Sequence, residues 1–257
     1  MEDANLDHFL KVAQDAVRTA GEQVRKLRPQ AQIRMRKEDG DLVTDGDLAA
    51  ENHILSLLEH EFPRHGYCSE ERGESHVNAE YVWTLDPIDG SKYYAGNVPL
   101  YALSLALRHH GEFVLGVVYA PESGQMFSAA AGRGSALNGR RITCSSVNAM
   151  EHATLCLEIP NRGASRADRQ SALPRLGALL DQAFRVRIIG VSALGLCLTA
   201  SGGFDAYVNL GGPPDPVDYA AGWVVAREAG AEVRLIGRHL LAGPPELCRK
   251  IRDIIEI

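Results

Sequence analysis

The sequence has no excess of basic residues: 27 lysines and arginines stand against 33 aspartates and glutamates, for a formal net charge of −6. Phosphate backbones and anionic headgroups repel a negative protein, so charge favours neither nucleic acid nor a membrane surface as a partner. No uninterrupted apolar stretch approaches the ~20 residues that a membrane-spanning helix needs. The stretch Met1–Phe9 is acidic and unlike a signal peptide, so we expect a cytoplasmic protein.

Cysteine is scarce and scattered. The five cysteines are an odd number, and none forms a CxxC pair. This pattern favours reduced thiols, in keeping with a cytoplasmic location, and argues against both a disulfide framework and a zinc site. The 257 residues, 45% of them apolar, suffice for one large domain or two modest ones.

What the sequence does have is an acidic turn after a short apolar run. The run Tyr81–Leu85 predicts a buried strand, and Asp-Pro-Ile-Asp-Gly-Ser follows at positions 86–91. Proline favours an extended conformation for Asp86, and glycine permits a sharp turn. We therefore expect the carboxylates of Asp86 and Asp89 to project to the same side.

Two carboxylates so close together repel each other unless a cation lies between them, and a divalent ion with oxygen ligands is the simplest one. Ser91 adds a hydroxyl, and the amides of Gly90 and Ser91 lie at the start of a predicted helical turn, where an anion can bind. Together these groups indicate metal-assisted chemistry on a phosphate. A plain surface turn is the alternative, since the same residue types are common in turns.

The charged stretch Arg34–Asp47 predicts a loop or loose hairpin leading into a helix over Leu48–Phe62. It does not fit a calcium-binding loop, because no frame supplies the required ligands and closing glutamate. Nor does Asp45-Gly46-Asp47 fit an aspartyl-phosphate nucleophile, because no apolar strand is expected before it. We predict instead that Asp47 caps the helix or orients a water, with a solvated charged loop as the alternative.

Two more acidic positions are candidates. Glu70 and Glu71 follow a strand-like piece, Gly66–Ser69, although paired glutamates are most often simply exposed. Asp218 begins a helix rich in small residues, which can approach another backbone closely, and a plain N-cap is its alternative role.

The remaining pattern predicts a mixed α+β and α/β protein. A helix over residues 6–28 precedes antiparallel strands over 100–131, and Asn138-Gly139 signals a hairpin. A change of texture near residues 145–152 predicts a boundary between an N-terminal domain, 1–148, and a C-terminal domain, 149–257. The second half alternates strands and helices, as an α/β layer does: Thr154–Glu158, Ala172–Phe184, Val186–Ile189, Ser192–Ser201 and Phe204–Val208.

Five segments, in order, resemble the inositol monophosphatase family, part of a larger group with fructose-1,6-bisphosphatases and 3'-phosphoadenosine 5'-phosphate phosphatases. The segments are DLVTDGD (41–47), SEE (69–71), WTLDPIDGS (83–91), GVVYAP (116–121) and VDYAAGWVVAREAGA (217–231). The resemblance covers nearly the whole chain. It implies a layered αβαβα sandwich of the sugar-phosphatase type, a homodimer, and a small phosphate monoester as the substrate.

The resemblance also implies roles for particular residues. Two or three Mg²⁺ ions would be held by four carboxylates and one main-chain carbonyl: Glu70, Asp86, Asp89, Asp218 and Ile88. The catalytic residues would be Asp47, Ser91 and Glu70, with the first two orienting and helping to deprotonate the attacking water. The substrate-binding residues would be Gly90, Ser91, Lys92, Ala193, Asn209 and Asp218.

This sequence departs from the family pattern at four residues and in the length of one loop. Ser91 stands where threonine is usual, and Val217 where tryptophan is usual. Asn209 replaces a glutamate that accepts a hydrogen bond from the inositol ring, and the loop from Asn209 to the metal-binding aspartate is slightly longer. Arg36 lies where a lysine of a mobile loop is often found. The residues expected to recognise the substrate therefore differ more from the family pattern than the metal ligands do.

Inositol 1-phosphate is the leading candidate substrate. 3'-Phosphoadenosine 5'-phosphate is the runner-up, because Lys92 after the DGS sequence is a feature of that branch; fructose 1,6-bisphosphate and histidinol phosphate are further options. A non-enzymatic protein that keeps the fold and regulates a partner is the alternative from another class.

Overall fold

The computed structural model describes residues 3–37, 40–161 and 163–256. The helices are α1 (Asp3–Leu27), α2 (Asp45–Glu61), α3 (Ser91–Ala95), α4 (Arg166–Gln182), α5 (Ser192–Ala200), α6 (Pro216–Glu228) and α7 (Pro245–Ile255). The strands are β1 (Ile33–Arg36), β2 (Leu42–Thr44), β3 (Gly66–Ser69), β4 (Gly73–Ser75), β5 (Tyr81–Asp89), β6 (Ala102–His109), β7 (Glu112–Ala120), β8 (Gln125–Ala130), β9 (Gly134–Leu137), β10 (Arg140–Ile142), β11 (Thr154–Glu158), β12 (Arg185–Ile188), β13 (Ala206–Asn209), β14 (Glu232–Ile236) and β15 (His239–Gly243). No helix within the described ranges is both long enough and apolar enough to cross a bilayer.

These elements stack in five layers. Helices α1 and α2 cover one face of an eight-stranded sheet, and α5 and α6 fill the space between that sheet and a five-stranded one. Helices α4 and α7 cover the far face of the five-stranded sheet. This order confirms the predicted αβαβα sandwich.

The eight-stranded sheet has the order β10-β9-β8-β7-β6-β5-β3-β4. Its strands β3 and β5 run parallel, so their carboxyl ends reach the same edge of the sheet. At that edge the amide of Glu70 donates to the carbonyl of Leu85 at 3.2 Å. The topology therefore brings the residue after β3 next to the acidic end of β5.

The five-stranded sheet has the order β12-β11-β13-β15-β14. Strand β11 runs parallel to both β12 and β13, and Glu158 at its end pairs in register with Asn209 at the end of β13. Ligands bind at the carboxyl ends of parallel strands in many α/β proteins, so this edge is a second candidate position for a site.

The predicted boundary at 148/149 falls between the two sheets. The core in the middle of the molecule nevertheless combines residues of both halves, with Val118 from β7 packing in the same cluster as Leu196 of α5 and Val224 of α6. A division into two separate folding domains stays a prediction.

Most predicted elements lie where expected, with shifted ends. Helix α2 begins at Asp45 because the side chain of Thr44 caps it, and α4 begins at Arg166 because Ser165 accepts a hydrogen bond from the amide of Asp168 at 3.0 Å. The prediction that no apolar strand precedes Asp45 is wrong, because Leu42–Thr44 forms β2 with every side chain buried. Three residues are too short a run to reveal a strand by periodicity.

The small residues of α6 pack directly against the eight-stranded sheet. A Cβ atom at Gly116 of β7 would lie 2.3 Å from the carbonyl oxygen of Ala221 and 2.9 Å from its Cα. We therefore expect Gly116→Ala to lower the free energy of unfolding by about 3 kcal/mol or more, since backbone must move to admit the methyl group. Urea denaturation measures this change.

Gly177→Ala is the matched control, because Gly177 lies inside α4 with open space around it. There alanine should stabilise the protein by roughly 0.5–1 kcal/mol. Equal stability of the two variants would contradict the close packing of α6.

Candidate active site

A cleft of about 460 Å³ opens at the edge of the eight-stranded sheet where β3 and β5 end. Eight of the residues predicted for the site lie in its wall: Glu70, Asp86, Ile88, Asp89, Gly90, Ser91, Lys92 and Asp218. The remaining predicted residues, Asp47, Ala193 and Asn209, do not line it.

The acidic turn forms through an irregularity at the end of β5. The strand continues to Asp89 rather than ending at Leu85, and its pairing with β6 shifts between Asp86 and Asp89. Gly90 then adopts φ = 99°, a conformation that favours glycine, and starts α3. A Cβ atom there would also lie 3.1 Å from the carbonyl oxygen of Leu100, so both the conformation and the tight space favour glycine.

Asp86 is a deeply buried carboxylate of the cleft. It is 3% exposed, and its Oδ1 has no hydrogen-bond partner among the described residues. Burial, followed by repulsion from Glu70, Asp89 and Asp218, raises the pKa of Asp86 well above its usual range. A buried carboxylate without a partner is unfavourable, so this atom indicates that a cation belongs beside it.

Asp89 is held from the other half of the chain. The amide of Ala193, in the first turn of α5, donates to Asp89 Oδ2 at 2.7 Å. Burial and then repulsion from Asp218 raise the pKa of Asp89 well above normal. The amide of Ala193 thus positions a carboxylate, although Ala193 does not line the cleft. Its predicted contact with the substrate stays a prediction.

Asp218 enters the cleft from α6. The N-cap of this helix is Asp215, whose side chain accepts from the amide of Val217 at 3.0 Å, so the N-cap alternative for Asp218 is wrong. Asp218 lies in the first turn, where burial and then repulsion from Glu70 raise its pKa to about 7. No capping bond accounts for its position.

Asp47 does not line the cleft but is hydrogen-bonded to a residue that does. Its Oδ2 accepts from the amide of Thr44 at 2.8 Å and from the Thr44 hydroxyl, which completes a capping box at the start of α2. Its Oδ1 lies 2.7 Å from Ser91 Oγ, which is also 2.9 Å from the carbonyl oxygen of Ile88. Burial raises the pKa of Asp47 to about 6. With both oxygens engaged, Asp47 is not placed as a nucleophile.

Lys37 is a site residue that the sequence did not reveal. Its ammonium group lies 2.6 Å from Glu70 and 2.8 Å from Glu71, whereas the neighbouring Arg36, matched to the family's loop lysine, is exposed in β1. Burial opposes the charged form of Lys37, but the bonds to the two glutamates raise its pKa. Nothing in a charge-dense stretch distinguishes this lysine from its neighbours.

A second missed residue, Glu51 of α2, fixes the turn that carries Glu70. It is 1% exposed and accepts hydrogen bonds from the hydroxyl of Ser69 and from the amides of Glu71 and Arg72, at 3.1 and 3.0 Å. A glutamate on the buried face of an amphipathic helix was the available signal. Glu51 therefore positions the SEE segment.

Glu158 is the third missed residue. It ends β11, lines the cleft, and has a buried Oε1 with no hydrogen-bond partner among the described residues. Burial and then repulsion from Asp218 raise its pKa to about 7. A carboxylate at the carboxyl end of an apolar strand was the signal that could have found it.

The two residues predicted to recognise the substrate differ in their surroundings. Lys92 is half exposed, with its ammonium group 3.7 Å from Asp41. Asn209 accepts a hydrogen bond from the amide of Gly211 through its side-chain oxygen at 2.6 Å and lies in a neighbouring cavity.

A separate group of possible metal ligands lies at the other end of β5. One ligand atom from each of Glu80, His109 and His110 falls within 4.8 Å of the others. The hairpin between β6 and β7 brings the histidines to Glu80, which is distant from them in sequence. About six strand residues, or roughly 20 Å, separate this group from Asp86.

The residues of the cleft fit a hard divalent cation. The candidate ligand atoms are all oxygens, the carboxylates repel one another in the absence of positive charge, and Asp86 Oδ1 has no hydrogen-bond partner within the described ranges. Lys37, bonded to Glu70, already places one positive charge at the rim.

The inositol monophosphatase family model matches residues 5–249. The Nus factor SuhB of Pseudomonas aeruginosa is 34% identical over 230 residues, covering 88% of this chain and 84% of that protein. The fructose-1,6-bisphosphatase/inositol-1-monophosphatase of Aquifex aeolicus is 31% identical over 235 residues, covering 91% of this chain and 88% of that protein. The extragenic suppressor protein suhB from Bartonella henselae has a similar crystal structure, with a TM-score of 0.91 and 25% identity over 97% of this chain and 98% of that chain.

These similarities extend over nearly the whole chain and agree with the five-layer fold. They support an enzyme of the phosphatase class from a group that generally depends on metal ions. The chain belongs to the inositol monophosphatase family.

Proposed function

We propose that the chain is a Mg²⁺-dependent phosphomonoesterase that hydrolyses a polyol or sugar phosphate, with inositol 1-phosphate as the leading candidate. The observation that carries this proposal is the meeting of three carboxylates, those of Glu70, Asp89 and Asp218, around Asp86 beside the hydroxyl of Ser91. Among the described residues, Asp86 Oδ1 has no hydrogen-bond partner. We also propose that the protein is cytoplasmic and forms a homodimer. Light scattering tests the dimer by measuring the molar mass in solution.

In this proposal Glu70, Asp86, Asp89 and Asp218, with the carbonyl of Ile88, hold two or three Mg²⁺ ions. When bound, the ions neutralise phosphate charge and make a water nucleophilic near neutral pH. Ala193 and Glu51 act indirectly. The amide of Ala193 holds Asp89, and the side chain of Glu51 holds the turn that carries Glu70.

The chain's own proton chemistry centres on Ser91 and Asp47. Ser91 Oγ donates towards Asp47 Oδ1 at 2.7 Å, so the pair can orient a water and accept its proton as the new P–O bond forms. The ester P–O bond breaks on the opposite side, and the leaving alkoxide takes up a proton from solvent water. The amides of Gly90 and Ser91 remain the predicted phosphate contacts.

We expect Ser91→Ala to lower kcat/KM for phosphate release by about 10²-fold, because general acid–base groups contribute on this scale. Asp47→Asn is a less clean test, since Asp47 also closes the capping box of α2. Ser91→Thr restores a hydroxyl at the same position and should retain most of the activity. Near-normal activity of the alanine variant would contradict the role of the pair.

A phosphate-release assay with Mg²⁺ on a panel of esters distinguishes the candidate substrates. It includes inositol 1-phosphate, 3'-phosphoadenosine 5'-phosphate, fructose 1,6-bisphosphate and histidinol phosphate. Preference for the first supports the proposal, and preference for the second supports the runner-up. No release from any of the four would favour the regulatory alternative and contradict the phosphatase proposal.

A further inference from the structure

Asn209 uses its side-chain oxygen to hold a turn within its own loop. That oxygen accepts the amide hydrogen of Gly211 at 2.6 Å, and the side chain is 9% exposed. Asn209 therefore shapes the loop that leads to Asp215, the N-cap of α6. A carboxylate elsewhere on this edge of the sheet would be a stronger acceptor for a donor group of the substrate.

Glu158 lies one strand away at the same level of the sheet. It pairs in register with Asn209, and its main-chain oxygen accepts from the amide of Leu210 at 2.8 Å. A carboxylate offers only acceptors, and Glu158 Oε1 is buried without a donor among the described residues. The charged group that acts on Glu158 is Asp218, which repels it. Glu158 Oε1 can therefore accept a hydrogen bond that no described residue donates.

A second cavity, of about 390 Å³, adjoins the cleft, and Glu158 and Asp218 line both. Among its described lining residues, the charged side chains are all carboxylates: Glu158, Asp168, Asp215 and Asp218. Asp168 is neutralised by Arg238 at 2.8 Å, whereas Glu158 is not paired in this way. A second phosphate in this cavity would meet like charge, and a hydroxyl or ammonium group would meet an acceptor.

We propose that Glu158 is a specificity-determining residue that accepts a hydrogen bond from a hydroxyl or ammonium group on the leaving group of the substrate. The leaving group lies in the second cavity, and the substrate is a monophosphate ester rather than a bisphosphate. This inference rests on the proposed phosphatase function and assigns its leaving-group site.

The test compares Glu158→Ala and Glu158→Gln on three esters with Mg²⁺ bound. Inositol 1-phosphate offers hydroxyl donors, histidinol phosphate offers an ammonium group, and phenyl phosphate offers no donor on its leaving group. For Glu158→Ala, kcat/KM for the donor-bearing esters should fall about 10- to 100-fold further than for phenyl phosphate, as expected for a lost hydrogen bond to a charged group.

The glutamine variant distinguishes the two donors. Glutamine keeps a neutral acceptor, so it should preserve most activity if the donor is a hydroxyl and lose it as alanine does if the donor is ammonium. Glu151→Ala is the matched control, because Glu151 is exposed just before β11 and should leave the substrate preference as in the wild type.

Three results would overturn the assignment. The first is an equal loss on all three esters with weaker Mg²⁺ binding by calorimetry, which would make Glu158 a metal ligand. The second is no change in preference, and the third is faster hydrolysis of fructose 1,6-bisphosphate than of the monophosphates. A wild-type protein inactive on every ester would instead contradict the phosphatase proposal itself.

Discussion

Replacing Asp89 with asparagine is expected to lower Mg²⁺-dependent phosphate release by about 10³-fold or more. Outer residues that merely orient metal ligands account for 10- to 100-fold, and a direct ligand should exceed this. Asparagine keeps the shape and the acceptor for the amide of Ala193, so the loss isolates the missing charge. Initial rates over a range of Mg²⁺ concentrations provide the measurement.

The same variant should not be less stable than the wild type when metal is removed. Asp89 is a buried carboxylate among like charges, and its neutralisation relieves repulsion with Asp218. Asp181→Asn, on the exposed end of α4, is the matched control and should keep wild-type activity. An Asp89→Asn protein that is folded and nearly as active as the wild type would exclude Asp89 as a metal ligand.

The metal-free protein is expected to lose stability as pH rises from about 5 to about 8. In the folded state the pKa of Asp218 is raised to about 7 and that of Asp47 to about 6, and those of Asp86 and Asp89 are raised well above normal. The folded state therefore binds more protons than the unfolded state across this window, so the free energy of unfolding falls with increasing pH.

Thermal unfolding in a chelator measures this effect. One carboxylate shifted by about three pKa units corresponds to roughly 4 kcal/mol, and a Tm decrease on the order of 10 °C follows for a chain of this size. Added Mg²⁺ should raise Tm at about pH 8 much more than at about pH 5, because the ion binds the ionised carboxylates. A metal-free Tm that rises with pH over this range would contradict the repelling cluster.

The acidic turn could be predicted because its information is local. Asp86, Asp89, Gly90 and Ser91 lie within six residues, and the glycine at φ = 99° requires a residue type that the sequence displays. The layered fold could be predicted from the five segments that resemble the family. The change from antiparallel strands in the first half to alternating strands and helices in the second half supported it. These features depend on short-range conformation and on pattern, which a single sequence carries.

The rest of the site depends on distant contacts. Glu51 reaches Ser69 across 18 positions, Ala193 reaches Asp89 across 104, and Lys37 reaches Glu70 across 33. No local rule indicates which charged residue in a polar stretch will turn inward. Helices α2 and α4 begin earlier than predicted, because Thr44 and Ser165 cap them several residues before their apolar faces begin.

Substrate recognition was the least predictable part. Asn209 was expected to bind the substrate, and this stays a prediction; its side-chain oxygen accepts a bond within its own loop. Glu158 on the neighbouring strand has a buried oxygen with no hydrogen-bond partner among the described residues. Strand pairing, which the sequence does not display, decides that these two residues are neighbours.

The most direct measurement is a crystal structure with Mn²⁺ in place of Mg²⁺, because anomalous scattering locates that ion independently of any assumed ligand. Anomalous peaks should lie between the carboxylates of Asp86 and Asp89, with Glu70 and Asp218 coordinating from β3 and α6. Peaks confined to the surface group of Glu80, His109 and His110, with the cleft empty at saturating Mn²⁺, would contradict the proposed metal-dependent site.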